Sequence, residues 1–183
     1  TENQANEGAG IYIAEGGTLF ATSVSIINNI NPNINGGGVH NVGSFIANDV
    51  IINNNTATNG NHGHGGGIYN VGAMTFNNVE IHGNSAKHGG GIYFNNSDDT
   101  TLGNVSITEN SASTSGGGIH LNESSPTFED FLIQGNSSNV GAGLYIDYNS
   151  EPIVQNGSIR YNEGSGYGAG IYFDHNSGGS FTN

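Results

Sequence analysis

Two acidic side chains in this sequence recur at one repeat distance. Asp147 and Asp174 each follow, by three residues, the aliphatic residue of a Gly-rich tetrapeptide, Leu144 and Ile171. If that tetrapeptide marks equivalent points on successive turns of a repeat, the carboxylates stack about 4.8 Å apart, one strand spacing. Like charges at that distance repel, and a hard cation with oxygen ligands relieves them, so the pair is a calcium candidate. Glu123, Glu151 and His175 fall near it in the same register. The blander reading, a solvated polar corner, carries more weight. A catalytic carboxylate pair of the kind glycoside hydrolases use is the third reading.

Histidine supplies a second constellation. His62 and His64 flank one glycine, and His64 and His88 each immediately precede a glycine triplet, which stacks them in a repeat. Three imidazoles are a donor set for Zn²⁺ or Ni²⁺. Ordinary surface histidine is the heavier reading, because His also stands at 40, 120 and 175 in place of other polar or aromatic residues.

The third constellation is a column of rings. Tyr12, His40, Tyr69, Tyr93, His120, Tyr145 and Tyr172 each follow the aliphatic residue of the Gly-rich tetrapeptide. On an extended strand that position faces outward if the aliphatic faces inward. The glycines one and three before the aliphatic then face outward as well, leaving a strip of bare backbone beside the rings. Aromatic faces pack on sugars and on partner chains, so the ladder is the candidate contact face. Rings that stack only to stabilise the repeat are the competing reading.

What positions these residues is a repeat. The Gly-(Ala/Gly)-Gly-aliphatic unit occurs seven times, at Ile11, Val39, Ile68, Ile92, Ile119, Leu144 and Ile171, with spacings of 24 to 29. A second signature, Ile-x-x-Asn, ends in Asn29, Asn55, Asn84, Asn110, Asn136 and Asn162, spaced 26, 29, 26, 26 and 26. Within each unit there is no helical period. Short alternating runs such as Val79-Glu80-Ile81 and Val105-Ser106-Ile107 appear instead, with a further apolar residue before them at Phe76 or Leu102. Helical repeats are excluded by that pattern, and a propeller blade needs about 40 residues. The prediction is an all-β chain, a right-handed parallel β-helix of about seven coils of about 26 residues, with three short strands per coil. The six Asn sit where the third strand ends, and stacked amides there form a structural ladder. Residues 1–183 read as a single solenoid segment, belonging to a longer chain or to an end-to-end assembly.

Composition narrows the partners. Two Lys/Arg against fifteen Asp/Glu give a net charge of −13. Nucleic acid needs clustered cations and is excluded. No cysteine offers a disulfide or thiolate site, and no apolar run reaches membrane-spanning length, so this segment makes no direct insertion in a membrane. Lyases on this kind of scaffold need a basic residue beside acidic calcium ligands, yet Lys87 and Arg160 are the sole cations besides His and fall on different walls. The expectation is therefore a protein without catalysis or cofactor, calcium aside. A polysaccharide lyase or hydrolase is the disfavoured enzymatic alternative.

The tetrapeptides GGGI, GGGV, GAGI and GAGL, with Phe45–Asn48 and Phe173–Asn176 as literal Phe-x-x-Asn matches, resemble the polymorphic outer-membrane-protein repeat of chlamydial and other bacterial surface autotransporters. The family's motif is Gly-Gly-Ala-aliphatic, so the Ala here is displaced or replaced by Gly. The resemblance implies a β-helical passenger domain, secretion, and an extracellular or cell-surface place with a stalk or adhesin role. Its partners would be a host or neighbouring cell-surface protein, a glycan, or further copies of itself in a filament.

Overall fold

The computed structural model describes residues 3–33, 35–57 and 62–183. It is a right-handed parallel β-solenoid of about six turns, with no helix among the described residues. Three parallel sheets run along it. The first has seven rungs, Ile11–Ile13, Val39–Asn41, Ile68–Asn70, Ile92–Asn95, Ile119–Asn122, Leu144–Asp147 and Ile171–Phe173, in chain order. Its register places the predicted aliphatic residues opposite one another, Ile92 on Ile119 and Ile119 on Leu144. Val39, Ile68, Ile92, Ile119 and Leu144 are fully buried.

The other two walls divide differently from the sequence expectation. The apolar pair expected as separate strands, Phe76 and then Val79–Ile81, forms one long strand, Ala73–His82, in the third sheet. It bends at Asn78, which adopts a left-handed backbone with φ of 55°. Its equivalents Ser23, Asp49, Asn104, Asp130 and Asn156 do the same, with φ between 50° and 54°. Short polar side chains tolerate that region better than others. The bend lets both Phe76 and Val79 point inward although they are three residues apart. The second sheet is built from segments with no apolar pattern, such as Ser85–His88 and Ser111–Ser115. Only Ala86 or Ala112 points inward there, which brings this wall close to its neighbour.

That approach corrects the reading of the glycine triplets. In the five inner coils they are buried, while Gly168 of the last is exposed, and the strand of the first sheet begins only at the aliphatic residue. Gly89 has φ of 61°, which breaks the alternation used to place it outward. A Cβ on Gly90 would lie 2.4 Å from the Ser111 carbonyl oxygen of the second sheet, and one on Gly91 3.1 Å from the Asn110 amide. Over the inner coils the bare outward strip does not exist, because the protein's own backbone and Asn side chains fill that space.

Coils are fastened by two internal polar columns. In the predicted one, Asn110 is representative: its backbone N–H and its Nδ2 both donate to Asn136 Oδ1, at 2.9 and 3.0 Å, and Nδ2 also donates to Ile81 O. The same pattern joins Asn29 to Asn55, Asn55 to Asn84, Asn84 to Asn110 and Asn136 to Asn162. Buried amides with every partner supplied cost nothing in lost hydration, whereas one missing partner is expensive. The second column was not foreseen. Asn41 donates to Asn70 and Asn70 to Ser97 Oγ, while the backbone N–H of Ser97 donates to Ser124 Oγ and that of Ser124 to Ser150 Oγ.

Candidate functional site

The strands Leu144–Asp147 and Ile171–Phe173 carry Asp147 and Asp174 to the same edge of the first sheet on neighbouring coils. The register and the turn after Phe173 bring His175 onto them. His175 Nδ1 lies 2.7 Å from Asp147 Oδ1 and 3.4 Å from Asp174 Oδ1. Tyr145 Oη donates to Asp174 Oδ2 at 2.7 Å, and the backbone N–H of Tyr148 donates to Asp147 Oδ1. Tyr148 stacks flat on the His175 ring with centroids 4.5 Å apart. Glu123 and Glu151 are exposed and stand outside the group.

Electrostatics within this group follow from those contacts. The Asp147 hydrogen bond, opposed by slight burial, raises the His175 imidazole above its ordinary value. The Tyr145 hydroxyl holds Asp174 below the usual carboxylate range. Burial, then the Asp174 contact, pushes the Tyr145 phenol well up. Among the described residues Asp147, Asp174 and His175 are the one group whose donor atoms approach closely enough for a shared metal ion. The sequence-derived carboxylate pair thus comes together, but its charge is already met by imidazole, phenol and backbone. A calcium ion there would have to displace His175.

The ring ladder is in register from end to end. Tyr12 pairs His40, His40 pairs Tyr69, and the series continues through Tyr93, His120 and Tyr145 to Tyr172. Centroid separations run from 4.6 Å for Tyr93–His120 to 5.7 Å for Tyr69–Tyr93. The expected contact face is nevertheless closed over most of its length. His40, Tyr93, His120 and Tyr145 are buried, and Tyr12 alone, at 47%, is strongly exposed. Rings outside the core are covered here because columns rise on both sides of them. On one side stand the residues three after each aliphatic, including Asp147 and Asp174. On the other stand His64, His88 and Ser115. Between the two end coils the ladder offers no open face to a flat ligand, and neither does the strip of glycines beside it.

His64 and His88 do stack, edge to face at 5.2 Å. His62 is exposed and completes no three-imidazole group, so the predicted Zn²⁺ or Ni²⁺ trio does not form among the described residues. His88 spends its Nδ1 on Ser115 Oγ, 2.7 Å away, and Ser115 Oγ lies 3.0 Å from His120 Nδ1. Residues 58–61 of the turn insertion before His62 lie outside the described residues.

Two features escaped the sequence. Ser97, Ser124 and Ser150 lie five, five and six residues beyond the aliphatic, whereas Asn41 and Asn70 lie two beyond it, so no fixed offset marks their column. The exposed aromatics Tyr148, Tyr161 and Tyr167 are 45%, 78% and 72% accessible, and they stand at repeat positions that other coils fill mostly with glycine or polar side chains, so no recurrence of rings marks them. No helix of the described residues is long and apolar enough to cross a membrane. In comparison with known proteins, the family model for the right-handed beta helix region matches residues 47–183. Neither a curated protein nor a solved structure matches the chain.

Proposed function

Because the chain belongs to the right-handed β-helix family, we propose that it works as a rigid extracellular scaffold with an adhesive role and without catalysis. One observation carries this reading. The side chains able to do chemistry are engaged with neighbouring coils, Asn with Asn, Tyr with His, and Asp147 with His175. A rod that uses its polar groups to hold its own register suits the display of a surface along its length. The passenger-type repeat motifs support a place outside a cell. The scarcity of cations, Lys87 and Arg160 alone, directs recognition toward basic protein surfaces or neutral glycans and away from polyanions.

The tyrosine rings available for contact are those of Tyr148, Tyr161 and Tyr167, with Tyr12 at the open end of an otherwise closed ladder. Immobilised chain tested against glycans and intact cells should retain ligand, and the Tyr148→Ser, Tyr161→Ser and Tyr167→Ser triple variant should lose it with its β-sheet circular dichroism unchanged. Retention by the triple variant at wild-type level would remove these rings from the reading.

A polysaccharide-cleaving activity is the competing reading, and the meeting of Asp147, Asp174 and His175 is what favours it. Its signature would be release of unsaturated or reducing ends from uronate polymers, abolished by Asp147→Asn and Asp174→Asn. No release by the wild-type chain would end it.

A further inference from the structure

Where the ring ladder is best covered, its cover is imidazole. His64 stacks on Tyr93 with centroids 4.5 Å apart, and His88 stands edge-on to both His64 and His120, at 5.2 and 5.5 Å. The backbones of these covering residues also tie the glycine lead-ins of adjacent coils together. Gly36 N–H donates to His64 O, Gly65 N–H to His88 O, and Gly89 N–H to Ser115 O, all within 2.9 to 3.0 Å. A charge placed on these rings therefore acts at the seam that closes the column.

The groups facing His64 and His88 give an added proton no counter-charge. From their own strip come Lys87 and His62, and from the ladder His120 with the phenols of Tyr69 and Tyr93. Those phenols are raised by burial and stay neutral at any pH of interest. Asp147 acts on Tyr93 from the other flank of the ladder. His120 is enclosed, and its one hydroxyl partner is the Ser115 that it shares with His88.

We propose that His64, His88 and His120 form an acid-operated latch whose protonation frees the glycine lead-ins at 63–67 and 87–91 and uncovers the rings of Tyr69, Tyr93 and His120. The direction is fixed by linkage. Burial first, then the neighbouring cations and imidazoles, lowers His64 to about 4, and burial with Lys87 lowers His88 to about 4. Unfolded histidine titrates at about 6.5. Between those values the open form binds more protons, so closure is complete above about 6.5 and weakens as pH falls toward 4. Buried imidazoles that must become charged are a recurrent switching device. The inference rests on the adhesive reading only for what the uncovered rings would meet, and the latch is tested without any ligand.

The test is amide hydrogen exchange on the whole chain at neutral pH and at about pH 4.5, corrected for the intrinsic pH dependence of exchange. On acidification, protection at 65–69 and 89–93 should fall by about tenfold or more while that at 105–107 in the third sheet holds, a local opening. In the His64→Gln, His88→Gln double variant the acid-dependent loss should disappear. Unchanged protection in the wild type, equal loss at all three segments, or the same loss in the double variant would each overturn the latch. Should the double variant not fold, the wild-type imidazole Cε1–H titrations decide. Midpoints near 4 that track the exchange are expected, and midpoints near 6.5 without any opening refute it.

Discussion

The imidazole of His175 reaches back across one coil to the carboxylate of Asp147, 2.7 Å from Nδ1 to Oδ1, although twenty-eight residues separate them. Asp147 is only 6% exposed, and His175 is largely open to solvent. One partner is thus fixed by burial, while the other is free to exchange its proton with water.

This clasp predicts a pH dependence opposite in sign to that of His64 and His88. Because the His175 value is raised in the folded state, its contribution is fully present below the unfolded value of about 6.5 and is lost as pH rises through the folded value. An NMR titration of the His175 ring should show the raised midpoint. In Asp147→Asn it should move down toward the unfolded value, and an unmoved midpoint would assign the shift elsewhere.

The Asn column predicts a gradient along the rod. Asn110→Ala removes donors to Asn136 and Ile81 and strands the Asn84 groups that Asn110 Oδ1 accepts. With several buried partners lost at about 1–3 kcal/mol each, the variant should lose roughly 3–5 kcal/mol. Asn162→Ala, at a half-exposed position, should cost less. Urea midpoints measure both, and equal losses would contradict the column's role.

Glycines separate cleanly by what a methyl group would meet. Gly90→Ala places Cβ 2.4 Å from a carbonyl oxygen, whereas at Gly103 the nearest atom is 3.6 Å away. Gly90→Ala should lower the thermal midpoint severely, and Gly103→Ala should leave it unchanged or raise it slightly, as Ala restricts the unfolded chain.

The left-handed bend in the third sheet predicts a residue preference at Asn104, whose φ is 50°. Asn104→Gly should be close to neutral, while Asn104→Val should cost roughly 1–2 kcal/mol in steric strain. Similar denaturation midpoints for the two would show that the bend relaxes at little cost.

The sequence by itself determined the repeat, the burial of the aliphatic anchors, the stacking order of the rings, the Asn column and the meeting of Asp147 with Asp174. All of these depend on recurrence at a nearly fixed interval in a parallel stack, where equivalent residues of successive coils must lie side by side. Only the tertiary structure decided the rest. Alternation through the glycine triplets failed because a positive φ, as at Gly89, breaks the two-residue period on which it relies. The ring ladder is closed because columns on both flanks rise to cover it, and no single coil's sequence carries that information. The Ser column comes from turns of differing length, where a partner is set by where the chain arrives in space and not by how many residues it took to get there, and the His175 clasp from a ring that turns back onto the preceding coil.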